Sequence, residues 1–366
     1  MNTKAFENVK KELDMLAAEG MPLCGVMVRQ NHETLFEYGV NIANDQRLFL
    51  YSCSKPMTIT GVMRLWERGL IGLDDPVSKY LPAYADAFIM KNGEKTMPGT
   101  VMTIRHLMTM TAGLNYDLGA APIRKVIEEG RTDTLSIVNA FIRSPLDFSP
   151  GDKYQYSLAH DVLAAIAETV SGKPFGEYMQ EEVFSPLGMK NTSFRWEESE
   201  IAPQYRFDAE TRQYQPVPRT CVYRLAQDYD SGGAGVVSTL KDLSLFLDAL
   251  ACGGTAETGY QLLKPETIDL MRTEQLPHVA KNADFLCPAG PDYGYGLGVR
   301  TRVRMDGGEN SGYGEFGWDG AAGCFELADP ENGVSIAFVT HVMGWQSIRN
   351  EFHLPIRNAV YEALKA

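Results

Sequence analysis

The sequence lacks the features that would tie it to a membrane, a nucleic acid or a disulfide scaffold. Nowhere do about eighteen apolar residues run together, so no segment reads as a membrane-spanning helix. The first residues, Met1 to Glu12, hold neither an apolar stretch nor a small-residue cleavage site, which leaves a secretory leader unsupported and makes a cytoplasmic location the expectation. Positive charge is scarce: 34 Lys and Arg stand against 47 Asp and Glu, a net charge of −13, and the basic residues form no cluster. Such a field repels polyanions and excludes nucleic acid as a partner. The six cysteines (Cys24, Cys53, Cys221, Cys252, Cys287, Cys324) lie far apart, with no Cys/His spacing of the metal-binding kind, so reduced thiols are expected and no metal. Internal repeats and low-complexity segments are absent too.

What is present is core material. At 44% hydrophobic over 366 residues, the chain exceeds what one core organises, about 300 residues, and two lobes are expected. Phe6, Val9, Leu13 and Leu16 fall at helical spacing within 4–18, and 22–40 reads as two strands about the turn Gln30-Asn31-His32-Glu33. After Leu48 the pattern is helical, through Met57, Val62, Met63, Leu65 and Trp66 to a stop at Gly69. Helices are then expected to dominate to about residue 280, at 103–110, 133–143, 157–171, 174–183, 239–251 and 265–274, with Thr103, Ser157 and Thr239 as N-caps. From Tyr293 the segments shorten. Residues 293–303, 313–318, 322–329 and 333–341 read as antiparallel strands, separated by turns such as Asp306-Gly307-Gly308 and Asp329 to Gly333, and a helix at 346–364 closes the chain. The fold class expected is mixed α and β. One antiparallel sheet built from residues 1–64 and 285–366 is flanked by the terminal helices, and a mainly helical domain, 65–284, is inserted, with the active site in the cleft between them.

The residues able to do chemistry begin at Tyr51-Ser52-Cys53-Ser54-Lys55, where strand gives way to helix. A three-residue spacing puts the Ser52 hydroxyl and the Lys55 amine on one helical face. Serine becomes a useful nucleophile when a neighbouring base takes its proton, and lysine is such a base once burial lowers its pKa. Moving lysine from about 10.4 to near 7 takes roughly 4 to 5 kcal/mol of bias against its charged form. The helix start also directs backbone N–H groups at Ser52, where an oxyanion would develop. The plainer alternative makes Ser52 a helix cap and Lys55 a solvated cation.

Further segments decide between them. In chain order they are Thr103 to Leu114, Pro150-Gly151-Asp152-Lys153-Tyr154-Gln155-Tyr156-Ser157, Ser171-Gly172-Lys173-Pro174-Phe175, Pro186-Leu187-Gly188-Met189 and Gly232-Gly233-Ala234-Gly235-Val236-Val237-Ser238-Thr239. With Ser52-x-x-Lys55 they resemble the serine β-lactamase and penicillin-binding-protein superfamily over nearly the whole chain. The resemblance implies a second element, Tyr-x-Asn, at Tyr156-Ser157-Leu158; the tyrosine is kept and the amide is lost. Tyr156 is then the general acid/base, a phenol titrated low by the nearby ammonium, and Tyr154 is the rival assignment. The third element, a Lys-Thr-Gly or His-x-Gly strand, corresponds to Trp318-Asp319-Gly320, with Ala321 following. The Trp-x-Gly form is similar to that of the family VIII carboxylesterases.

These departures carry the expected specificity. Trp318 offers an apolar wall where lysine would attract a substrate carboxylate, and Leu158 lacks the amide that holds an acylamide, so Trp318, Asp319, Gly320 and Leu158 are the expected substrate-binding residues. Backbone N–H groups of Ser52 and Ala321 would form the oxyanion hole. Asp319 would repel anionic substrates, unless Arg300 or Arg349 folds in to restore a positive charge. The implied activity is acyl transfer through an acyl-enzyme on small esters. β-Lactams, D-amino-acid peptides and amides are alternatives, as is a non-catalytic ligand-binding or regulatory module. No cofactor is expected, and the oligomeric state is not legible. His106, His160 and His341 pair with no carboxylate at informative spacing and receive no role. The glycine-rich run Tyr293 to Gly298 lacks the strand-to-helix context of a phosphate cradle, and Asp228-Tyr229-Asp230 reads as a solvated acidic turn.

Overall fold

A computed structural model describes residues 5–279, 292–305 and 311–365. The expected domain boundary at 285, Cys287 and the turn Asp306-Gly307-Gly308 lie outside these residues. The centre is a seven-stranded antiparallel sheet in the order Glu33–Val40, Cys24–Gln30, Val334–Thr340, Phe325–Asp329, Phe316–Gly317, Arg300–Arg302, Tyr293–Tyr295. The N-terminal hairpin therefore joins the C-terminal strands, through seven residue pairs from Cys24–Thr340 to Gln30–Val334. Its two-residue turn has Asn31 and His32 both at positive φ, the backbone that matches the twist of a tight hairpin.

Each face of the sheet has its own apolar layer. On one, the helix Glu7–Ala18 buries Val9, Leu13 and Leu16, joined by Ile356 and Val360 of the closing helix Leu354–Lys365 and by Val26, Val28, Ile336 and Phe338 of the strands. Strand residues of opposite parity, Met27, Ala328, Ala337 and Val339, meet a second core that continues into the helical part. Among the described residues no helix is long and apolar enough to cross a membrane.

The helical part matches the expected elements with local corrections. Helices run over Ile104–Met108, Thr134–Phe141, Ala159–Ser171, Phe175–Met179, Leu240–Ala251 and Pro265–Arg272. Thr103 and Thr239 cap theirs, whereas the cap before Ala159 is Leu158 and Ser157 bonds Met110 Sδ instead. A helix at Ala121–Glu128 and hairpins at Ile89–Lys91/Glu94–Thr96 and Gln204–Asp208/Gln213–Val217 interrupt the expected helical run. The segment 293–303 is not one strand: Gly296 to Val299 form a turn, closed by the Gly296 N–H on Val299 O at 2.8 Å. The closing helix starts later than residue 346, after a wider turn over Arg349–His353. Five cysteines among the described residues are free thiols.

Candidate active site

Ser52 lies in a single 3-10 turn, Tyr51–Cys53, between the two-residue strand Leu48–Phe49 and the helix Ser54–Glu67. Tyr51 holds φ of 50°, a left-handed conformation that costs a bulky residue roughly 1–2 kcal/mol. Its burial offsets the strain: the Tyr51 hydroxyl donates to Gln204 Oε1 at 2.8 Å, and its ring packs edge-on against Phe49 and Tyr223. The kink turns the next residue, Ser52, partly toward solvent while Tyr51 and Cys53 stay buried.

The glycine-rich segment 232–238 holds this turn from behind. Leu50 N–H donates to Val236 O, Val236 N–H donates to Ser54 Oγ at 3.0 Å, and Thr58 Oγ1 donates to Gly232 O at 2.7 Å. Ser54 is thus a fully buried acceptor for the backbone and not a second nucleophile. Gly233 O takes a hydrogen bond from Lys55 Nζ at 2.7 Å.

Two groups converge on Ser52 Oγ. Lys55 Nζ is 3.3 Å away and the Tyr156 hydroxyl 2.8 Å. Burial of Lys55 drives its pKa down to about 7, against an upward pull from Asp161 and Cys53. Tyr156 departs from expectation in the other direction. Burial pushes its phenol up, and the hydrogen bonds it makes to Ser52 and receives from Trp318 recover only part of that, so the phenol rests protonated. Lys55 Nζ sits over the Tyr156 ring, 4.6 Å from its centre, held by the ring's negative face. The rival Tyr154 is buried against Tyr295 in the core.

Around these lies an aromatic wall. Trp318 Nε1 donates to the Tyr156 hydroxyl at 3.2 Å, and the two rings stack at 5.8 Å. Tyr116, which no motif singled out, also stacks on Tyr156 at 5.5 Å and takes a bond from Lys55 Nζ at 3.4 Å. Tyr223 packs edge-on against Tyr116. Only spatial proximity reveals these two: each is a lone tyrosine in a loop.

The segment carrying Trp318, just after the strand Phe316–Gly317, abuts the nucleophile turn. A Cβ on Gly320 would collide with Leu50 O and reach Cys53 Sγ at 3.3 Å, so glycine permits the approach. Ala321 is exposed in the turn that follows, and among the described residues no backbone acceptor pairs with the N–H of Ser52 or of Ala321. Asp319 is corrected: its carboxylate is ion-paired to buried Arg300 at 2.8 Å and lies 3.7 Å from Arg349, so it offers no bare charge to repel a substrate. Arg300 also bonds Glu326 O and lies over Phe325, so that Asp319, not a substrate, claims its charge. Leu158 is corrected as well. It is buried and lines, with Leu114, Ile123 and Phe141, a small cavity whose walls include none of Ser52, Lys55 and Tyr156.

His341, His106 and His32 serve the fold. His341 accepts from Phe49 N–H and faces Ala202 O and Pro203 O, and burial lowers it to about 4. His106 closes a capping box with Thr103. Among the described residues one group of possible metal ligands, His32, Asp248 and Cys252, lies at the hairpin turn with donor atoms within 4.8 Å of one another. Its His32–Asp248 bond of 2.8 Å and the Arg29–Asp248 pair at 3.5 Å account for it as a clasp between turn and helix.

The profile of the beta-lactamase family matches residues 9–355. The chain belongs to the beta-lactamase family. Its relatives include Protein Rv1367c of Mycobacterium tuberculosis, 29% identical over 80% of this chain and 76% of that protein. Esterase EstB of Burkholderia gladioli is 29% identical over 89% of this chain and 84% of its own. Among solved structures, EstCE1, titled a hydrolase with promiscuous acyltransferase activity, superposes with a TM-score of 0.82 at 25% identity, covering 98% of this chain and 99% of that one. The fold expected from the motifs, a sheet covered by helices with a helical insertion, is the one these relatives share.

Proposed function

We propose that the protein is a serine hydrolase that cleaves small neutral esters through an acyl-enzyme on Ser52. The observation that carries this is the convergence of Lys55 Nζ and the Tyr156 hydroxyl on one serine oxygen, with the amine lowered to about 7 by burial. A neutral Lys55 accepts the Ser52 proton as Oγ bonds to the substrate carbonyl carbon. The N–H groups of Ser52 and Ala321 hold the resulting oxyanion. Tyr156 passes its proton to the departing alcohol oxygen and recovers one from the Lys55 ammonium, and water then releases the acid by the reverse sequence.

Neutral esters are favoured because the wall beside Ser52 is aromatic and the neighbouring Arg300 is paired with Asp319. The names of EstB and EstCE1, an esterase and a hydrolase, support the same reading. We read residues 1–64 with 285–366 as one domain and 65–284 as the other: Ser52, Lys55 and Trp318 come from the first, and Tyr156, which bonds Ser52, and Tyr116, which bonds Lys55, from the second. A fluorophosphonate should label Ser52 covalently, and the Ser52→Ala protein should escape labelling and lose activity on p-nitrophenyl acetate and butyrate. An unlabelled Ser52 would favour a binding or regulatory module, and a chromogenic cephalosporin turned over faster than the esters would favour a β-lactamase.

A further inference from the structure

The helix Ala159–Ser171 carries a carboxyl group that the steps above do not use. Asp161 is fully buried in its first turn, where the helix dipole favours negative charge. Its Oδ1 accepts from the Tyr229 hydroxyl and from Ser231 Oγ, each at 2.7 Å. Its Oδ2 faces the backbone of Gly233: a Cβ built there would lie 2.8 Å from Asp161 Oδ2 and 3.4 Å from Lys55 Nζ. The missing side chain leaves a bare glycine between carboxyl and amine, and the carbonyl of that glycine is the one Lys55 Nζ donates to at 2.7 Å.

We propose that Asp161 is the positioning residue of Lys55, a buried anion that sets how tightly the amine keeps its proton and, through Gly233, where the amine sits. The proposal rests on reading Lys55 as the base. The other titratable groups facing Lys55 are Cys53 on its own turn, Tyr116 and Tyr156 across the site, and His160 beside Asp161. Burial keeps each uncharged, pushing the thiol and phenols up and the imidazole down. The groups facing Asp161 besides Lys55 are the phenols of Tyr229, Tyr84, Tyr116 and Tyr156 and the Cys221 thiol, held neutral in the same way. Asp161 is the larger of the two neighbours, with Cys53, that oppose the effect of burial on the amine, and although burial raises its own carboxyl, the bonds from Ser231 and Tyr229 and the charge of Lys55 pull it back toward the anion.

The test is Asp161→Asn, which keeps shape and removes charge. kcat/KM for p-nitrophenyl acetate and the rate of fluorophosphonate labelling of Ser52 are measured from pH 5 to 9. Losing the anion favours neutral Lys55, so the acid limb should move down by about one pH unit. One unit below the wild-type midpoint, the rate relative to its own plateau should rise about fivefold. A merely structural role would lower the plateau and leave the midpoint in place, and that result overturns the proposal. Tyr229→Phe and Ser231→Ala each remove one donor that stabilises the anion. They should shift the limb the same way by less, and if Asp161→Asn does not fold, an unmoved limb in both overturns the proposal. A wild-type profile with no acid limb near neutrality, or a Lys55→Ala protein with full activity, would instead sink the assignment of Lys55.

Discussion

Keeping Lys55 near neutrality at pH 7 has a thermodynamic consequence that Lys55→Met exposes. In the unfolded chain the amine titrates at 10.5, in the folded protein at about 7. Below pH 7 both states carry the proton, and the folded state bears the full cost of burying the charge, about 4–5 kcal/mol. Between 7 and 10.5 the unfolded chain binds more protons than the folded one. Stability therefore gains about 1.4 kcal/mol per pH unit from this residue, and above 10.5 the penalty is gone. Methionine has a similar stem and no charge, so the variant should lose activity and gain stability. The fixed part of that gain is reduced by the lost bond to Gly233 O, worth about 1 kcal/mol, and it cancels from the slope. Buried thiols and phenols titrate with the opposite sign at high pH, but they are common to both proteins. The measurement is urea unfolding followed by tryptophan fluorescence at pH 7, 8 and 9. The stability advantage of the variant should shrink by about 1 kcal/mol from pH 7, where the folded amine is still half protonated, to pH 8, and by about 1.3 kcal/mol from pH 8 to 9. An advantage that stays constant across this range would mean that the two states hold the Lys55 proton equally, and the reasoning fails.

Tyr156→Phe should lower kcat by about 10² to 10⁴, since it removes the phenol proton while keeping the stack on Trp318 and Tyr116; Tyr154→Phe should leave kcat on p-nitrophenyl acetate within a few-fold of wild type. Gly233→Ala should cost activity and about 1–3 kcal/mol of stability, read by thermal unfolding, because the added methyl lands among two polar groups of a packed site. Trp318→Lys should shift the ratio of kcat/KM for a cephalosporin over p-nitrophenyl butyrate upward by about one to two powers of ten, the worth of one charge-assisted hydrogen bond to a carboxylate; an unchanged ratio would remove the indole as the determinant.

The large elements were legible because their signals are local. The period of Phe6, Val9, Leu13 and Leu16 is that of the helix that buries them, and the hairpin about Asn31-His32 has the short turn its strands require. What escaped was short and two-sided. The strands Gln204–Asp208 and Gln213–Val217 are largely polar and only partly buried, and they are held by a parallel pairing with Val342–Met343 far along the chain. No window of residues carries that partner. The wider turn Arg349–His353 delays a helix whose apolar period runs on unbroken, so its true start was hidden.

Within the site the same division holds, with a chemical twist. Ser52 and Lys55 are three residues apart, so helical geometry alone brings them together, and Tyr156 stood out through the order of motifs around it. Asp319 could not be placed because its partners are distant: Arg300, nineteen residues before it, and Arg349, thirty after, could be named as candidate cations, but neither spacing has a period that pairs them with it. A lone acidic residue beside a nucleophile reads as repulsion until its cations are found. Leu158 was misjudged for the opposite reason, since a position named by alignment need not keep its side chain in the site once the amide is gone and the core can bury it. Tyr116 and Asp161 had no signal at all, yet they touch or face the amine from two elements. A base of this kind is made by its enclosure: desolvation supplies the downward shift, and the groups that close the enclosure must come from wherever the chain folds back. The nucleophile and the phenol that work with such a lysine are therefore readable from sequence, and the residues that decide its pKa are readable only from packing.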